Sequence, residues 1–166
     1  MRRFFIILAL LIILCLPSYI LFRLYKITKI DGELEIGEKI PEFSVIDLKG
    51  EEINSESYLG QNFLLIFFTP KCPNCRWVID DLKEISEFKE IRVFLISRDT
   101  QERTLKFIEK EKVNFPIFFD KKNILRKKFK SLIVPSLFLI NREGILVYKS
   151  YGYINKEKLK EVLSFN

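Results

Sequence analysis

Two cysteines three positions apart, Cys72 and Cys75 in the stretch TPKCPNCRW (69–77), are the residues of this chain best suited to chemistry. The chain has 166 residues, three cysteines and no histidine. A pair at this spacing can be a dithiol–disulfide couple, half of a metal site, or a buried structural pair. Zinc takes four ligands, and one Cys-x-x-Cys supplies two. No second box and no histidine exist to complete the set, and Cys15 lies far off in an apolar run. A haem-attachment box needs histidine directly after the second cysteine, where Arg76 stands. No metal site and no organic cofactor are expected, and a redox couple made of the two cysteines is the chemical reading.

The surroundings support that reading. FLLIFF (63–68) is a continuous apolar run, the pattern of a strand buried on both faces, and it leads straight into the box. After the box, Val78, Ile79, Leu82, Ile85 and Phe88 recur at helical spacing. Cys72 is thereby placed at the start of a helix, facing backbone N–H groups without partners and the positive end of the helix dipole. That favours thiolate over thiol, Lys71 and Arg76 add positive charge, and a histidine base becomes dispensable. Cys75 falls one turn further in and more buried, placed to attack a mixed disulfide formed at Cys72. Pro73 suits the first helical turn, where its missing N–H leaves nothing unsatisfied.

A second feature is distant in sequence. SLIVPSLFLI puts Pro135 at the head of an apolar strand, where it weakens the ladder unless it serves another purpose. The Val134–Pro135 bond is either cis, in a turn beside the box, or an ordinary strand start, and the residues leave both open.

These features need a scaffold, and the pattern supplies one. KIPEFSVIDLKGEEIN (39–54) reads as a β-hairpin turning at Lys49-Gly50. IRVFLIS (91–97) is a second buried strand, followed by a helix over 99–112 with Asp99 or Thr100 as its N-cap. FPIFFD (115–120) is a short strand, and a charged helix follows around Ile124, Leu125 and Phe129. Residues 135–152 read as strand, Arg-Glu-Gly turn and strand, before a closing helix capped by Asn155. This order predicts one α/β domain: a mixed central sheet, parallel in the middle and antiparallel in its last pair, flanked by helices.

The N-terminus reads differently. Phe4 to Phe22 is 19 residues without a charge, 14 of them Leu, Ile or Phe. A helix of that length spans about 28 Å, close to the ~30 Å hydrocarbon core of a bilayer. A cleaved signal peptide needs a small-x-small site, and nothing after Pro17 fits one. The expectation is a signal anchor over 1–30 with a transmembrane helix at about 4–22, a tether at 31–37 and a domain at 38–166. The three-residue tail before the span resembles anchors that leave the N-terminus inside and export the rest.

The net charge of +6 belongs mostly to this segment, which holds five basic residues and no acidic one up to position 30. The remaining residues carry 23 basic and 22 acidic side chains. No basic face for nucleic acid is expected, and DKKNILRKKFK (120–130) reads as a solvated helix face.

From about residue 35 onward the chain resembles the thioredoxin superfamily, specifically its membrane-anchored TlpA/ResA-like redoxin branch. The likeness rests on IPEFSVIDLKGEEIN, LLIFFTPKCPNCRW, NFPIFFD, VPSLFLINREGIL and the final helix. It implies a thioredoxin-like fold, Cys72 as the attacking and Cys75 as the resolving cysteine, and Pro135 as the family's cis-proline. Beside it, the Val134 backbone would pair with the substrate chain. FTPK before Cys72 departs from the usual W-A-(S/T)-W and resembles the redoxins of methylamine dehydrogenase maturation. The acidic residue that thioredoxins carry six positions before the first cysteine falls at Ile66, which argues against proton shuttling there. A peroxiredoxin is the nearest rival: Thr69 matches its threonine three before the reacting cysteine, Leu65 does not match its proline seven before, and Cys75 makes a box those enzymes lack.

The implied function is that of an extracytoplasmic thiol-disulfide oxidoreductase anchored in a bacterial cytoplasmic membrane. It would reduce disulfides of exported proteins such as apocytochrome c and exchange electrons with a thiol-type membrane donor or acceptor. The alternatives are a disulfide oxidase or isomerase serving a periplasmic enzyme, a peroxiredoxin-like peroxidase, and a redox-silent anchored module holding extended peptides at Pro135. The CPNC box carries no direction, since proteins of this fold span about −270 to −120 mV.

Overall fold

Seven consecutive residues, Asn62–Phe68, are buried along their whole length and form the strand around which the sheet is organised. A computed structural model describes residues 15–23, 34–85, 90–120 and 123–165 of the chain. The chain divides into two units, residues 1–33 and 34–166. In the first, residues 15–23 are helical, with the Ser18 hydroxyl donating to the Cys15 carbonyl at 2.9 Å. The remainder of the expected 4–22 span lies outside the described residues. Among those described, no helix is long and apolar enough to cross a membrane.

The second unit runs β1 (Ser44–Asp47), β2 (Glu52–Asn54), a 3-10 turn (Ser55–Tyr58), β3 (Asn62–Phe68) and α1 (Pro73–Glu84). It continues with β4 (Ile91–Ser97), α2 (Gln101–Glu111), β5 (Ile117–Phe119), α3 (Ile124–Lys128), β6 (Ser136–Ile140), β7 (Leu146–Tyr151) and α4 (Lys156–Leu163). The seven strands form one sheet in the order β2-β1-β5-β4-β3-β6-β7. β3 pairs with β4, and β4 with β5, in parallel, as two buried strands joined by a helix must. β6 runs antiparallel to β3, and β7 antiparallel to β6. The N-terminal hairpin joins the far edge through an antiparallel β1–β5 pair. The expected thioredoxin-like α/β architecture with a mixed sheet is present.

Side chains alternate across a strand, so β3 feeds two cores. Leu64, Ile66 and Phe68 pack with Val78, Ile79 and Leu82 of α1, Phe107 of α2, and Leu159 and Val162 of α4. Phe63, Leu65 and Phe67 pack on the other face with Val45, Phe94, Leu125, Phe129 and Phe138. The charged helix expected around Ile124, Leu125 and Phe129 is present as the short α3. Leu125 and Phe129, four apart, are fully buried, whereas Ile124 is 48% exposed, because one turn of helix presents only a single stripe to the core. Phe88, read as the last member of the α1 stripe, lies outside the described residues.

Local chemistry sets the element ends. Asp47 Oδ1 accepts from the N–H groups of Lys49 and Glu51, at 2.8 Å each, and Gly50 takes φ 88° to turn the hairpin. Thr100 rather than Asp99 caps α2, its hydroxyl accepting from the Arg103 N–H at 3.4 Å. Asn155 caps α4 in the same way through Lys158.

Candidate active site

Three residues after β3 ends, the chain turns into α1 with Cys72 as the N-cap and Pro73 in the first turn. The Cys72 N–H donates to the Thr69 carbonyl at 3.1 Å, which closes that turn. Cys72 Sγ then takes the place of the usual capping oxygen and accepts from the Cys75 N–H at 3.3 Å. Cys72 is partly buried; Cys75, one turn on, is 1% exposed and packed into the core beneath α1. Both thiols are free.

The Val134–Pro135 peptide is cis, the first of the two alternatives left open by the residues. Its place beside the box follows from strand pairing. β3 and β6 pair with Phe67 opposite Ser136, so one step further along brings Pro135 level with the end of β3 and the start of the cysteine turn. The Cys72 thiol donates to the Val134 carbonyl at 3.5 Å. The Gly152 N–H holds the Pro135 carbonyl at 2.8 Å from the β7 side. Leu132 and Ile133, 70% and 53% exposed, precede this contact and present apolar surface to solvent.

The flanking cations have their own partners. Arg76 Nε and Nη2 donate to the Pro70 carbonyl at 3.4 and 3.3 Å, and its guanidinium lies 5.9 Å from the centre of the Phe107 ring. Lys71 is exposed, and its charge acts on Asp99. Burial and the hydrogen bond with Cys72 push the Cys75 thiol well above its ordinary value; the Thr69 backbone and the Arg98 charge oppose them. Arg98 was not singled out from the sequence. Its signal was there: a cation directly after the buried strand IRVFLIS. The structure thus brings together Cys72, Cys75, Pro73, Val134, Pro135 and the Thr69 backbone, and it adds Arg98. Among the described residues, no group of three or more His, Cys, Asp or Glu could hold a metal ion. The arrangement can do thiol–disulfide exchange: a reachable sulfur at a helix start, and a second sulfur sealed one turn behind it.

Known proteins resemble the chain to different degrees. Residues 36–149 match the AhpC/TSA family. Thiol-disulfide oxidoreductase ResA of Bacillus thuringiensis subsp. konkukian is 30% identical over 159 residues, covering 92% of this chain and 91% of its own. A Buchnera aphidicola protein assigned as peroxiredoxin bcp is 32% identical over 132 residues, covering 74% of this chain and 83% of its own. The crystal structure of a Chlorobium tepidum protein assigned as thiol:disulfide interchange protein DsbE superposes with a TM-score of 0.72 at 23% identity, over 79% of this chain and 96% of that one. A match across most of the folded unit, on a thioredoxin-like fold, decides the kinship: the chain belongs to the AhpC/TSA family and is a thiol-disulfide oxidoreductase similar to ResA.

Proposed function

We propose that this thiol-disulfide oxidoreductase works through the Cys72–Cys75 pair, with Cys72 attacking and Cys75 resolving. The observation that carries the reading is the asymmetry of the pair. Cys72 Sγ sits at the N-cap, partly buried, between the Cys75 N–H and the Val134 carbonyl, while Cys75 is sealed one turn behind. The Cys72 thiolate attacks a substrate disulfide, and the first substrate thiolate leaves and takes a proton. The Cys75 thiolate then attacks the Cys72 sulfur, releasing the second substrate thiolate and closing the Cys72–Cys75 disulfide. Two electrons pass to the substrate, and a thiol-type donor restores the dithiol. Pro73 lets the helix start directly at the reacting cysteine. Thr69 fixes the turn through its backbone, and Lys71 stands exposed at its mouth. The Val134 backbone beside Pro135 pairs with the substrate chain.

The apolar run at 4–22 supports an anchor in a bacterial cytoplasmic membrane with the catalytic unit on the extracytoplasmic side. Similarity to the thiol-disulfide oxidoreductase ResA supports protein disulfides as substrates, and the resemblance to TlpA/ResA-like redoxins points to exported proteins, apocytochrome c among them. Replacing Cys75 by serine tests the chemistry: Cys75→Ser accumulates mixed disulfides through Cys72, and mass spectrometry of the captured partner names the substrate. Failure of Cys75→Ser to trap any protein, while Cys72→Ser behaves identically, removes the proposal.

A second reading, peroxidase activity, is favoured by the identity to the Buchnera protein. Leu65, where that chemistry wants proline, is a buried core residue, and Cys75 is placed to resolve within the same turn. Peroxide consumption by the reduced protein, faster than its reduction of a protein disulfide, would promote this second reading over the first.

A further inference from the structure

Arg98 stands where the two halves of the site meet. Its backbone N–H donates to the Phe68 carbonyl at 3.0 Å, directly before the Thr69 backbone that hydrogen-bonds Cys75. Its Nη1 donates to the carbonyls of Ser131 and Leu132, at 3.2 and 3.4 Å, in the segment that leads to Val134 and Pro135. Its Nε is shielded from solvent and meets no acceptor among the described residues. A buried charged donor without an acceptor calls for an explanation. Nothing in the reaction so far explains how Cys75 becomes a thiolate: the chain has no histidine, and Ile66 fills the position of the thioredoxin acid.

We infer that Arg98 is a positioning residue for the resolving step, holding the 131–132 carbonyls with one arm of its guanidinium and setting its charge against the Cys75 sulfur as that sulfur becomes anionic. The inference rests on the proposed roles of Cys72 and Cys75. In the step concerned, Cys75 gives its proton to water and its thiolate attacks the Cys72 sulfur of the mixed disulfide. The Cys72–Cys75 bond forms as the Cys72–substrate bond breaks, and the departing thiolate takes a proton back. Arg98 neither gains nor loses a proton; a guanidinium stays charged throughout the working range.

Cys72 faces Cys75 from the start of α1 and raises its thiol, and burial does so more strongly. Arg126 of α3 shares the Ser131 carbonyl with Arg98, at 3.2 Å, and Asp120, after β5, counters the two arginines. The Asp120 carboxylate is itself held by the N–H groups of Leu125 and Arg126, both at 2.8 Å. The Arg98 guanidinium is thereby held at the 131–132 carbonyls, with Arg126 and Asp120 as its charged neighbours.

The test follows the release of thionitrobenzoate from 5,5′-dithiobis(2-nitrobenzoate) by the full chain in detergent, with Cys15→Ser to remove the third thiol. The first phase reports attack by Cys72, and the second reports attack by Cys75 on the Cys72 adduct. Arg98→Gln is expected to leave the first phase within about twofold. It should slow the second about tenfold at pH 7, the effect of a one-unit rise in the second-phase midpoint on the thiolate fraction. The deficit closes at high pH, and Arg98→Lys retains the unaltered midpoint. An unchanged second phase in Arg98→Gln overturns the inference, and so does a slowing by the same factor at every pH that lysine does not relieve. Should Arg98→Gln fail to fold, Arg98→Lys decides: a retained midpoint supports the role, and a displaced one ends it. Absence of two phases in the protein with Arg98 intact strikes instead at the roles given to Cys72 and Cys75.

Discussion

The Cys75 backbone N–H lies 3.3 Å from Cys72 Sγ, so the resolving cysteine's own amide caps the attacking sulfur. The same sulfur reaches the Val134 carbonyl at 3.5 Å, 62 residues away in sequence. One atom therefore ties the start of α1 to the segment before β6. A sulfur held at a helix start meets a donor that is already oriented, so the reacting group needs little reorganisation before attack.

Selective alkylation reads the difference between the two thiols. In a Cys15→Ser background at pH 7, iodoacetamide should modify Cys72 at least about tenfold faster than Cys75, because the thiolate is the reactive form and access limits its rate. Cys75 is 1% exposed, and burial holds its proton on. Peptide mass spectrometry over a time course gives both rates, and equal rates would contradict the assigned asymmetry.

The raised Cys75 thiol has a signed consequence for stability. Burial, then the hydrogen bond with Cys72, keeps the proton on in the folded dithiol where the unfolded chain loses it at about pH 8.5. This contribution is complete below that pH and disappears as the pH climbs toward the folded value, at up to ~1.4 kcal/mol per pH unit. Urea unfolding of the reduced protein should lose on the order of 1 kcal/mol more than Cys75→Ala between pH 8.5 and 9.5. Parallel pH profiles for the two proteins would refute it.

Phe138 carries much of the second core. It is fully buried, with ring centres 5.1 Å from Phe129, 5.7 Å from Phe67 and 5.9 Å from Tyr151. Phe138→Ala should cost about 3–5 kcal/mol in urea unfolding, through lost transfer energy and the cavity left behind. Because the Val134–Pro135 segment leads directly into β6, the loss should be accompanied by slower disulfide exchange at Cys72.

Ile66 tests whether an acid would help. It is fully buried, in the same cluster as Cys75, Val78 and Leu82. Ile66→Asp should destabilise the fold by about 3 kcal/mol or more at neutral pH, since an unpaired carboxylate would enter an apolar site. Thermal melts at pH 5 and pH 8 should show the larger loss at pH 8, where the carboxylate is charged. A variant as stable as the parent at both would contradict the packing described for β3.

Much of the site could be read in the sequence because it is local. The strand over 63–68, the cysteine turn, Pro73 and the helix after it lie within about twenty residues, and their periodicities and caps involve near neighbours. The same holds for the Asp47–Gly50 turn and the Asn155 cap, whose partners lie two to four residues away. Thr100 against Asp99 was not separable, since both are good capping residues and only backbone geometry chooses between them. The charged helix around Ile124, Leu125 and Phe129 was legible, but which of the three are buried was not, because a single turn buries only one side of itself.

Amino-acid order by itself determined the dithiol box, its place at a strand-to-helix joint, the α/β class and the absence of a histidine partner. Those follow from residue type and from interactions over one or two turns. Tertiary structure alone decided that β6 runs antiparallel beside β3, bringing Val134 and Pro135 to Cys72, and that Arg98, just after β4, meets the end of β3 and the 131–132 carbonyls. Such neighbours are set by strand order and register, which depend on how two faces of a sheet fill with side chains from distant segments, and no short stretch of sequence contains that information.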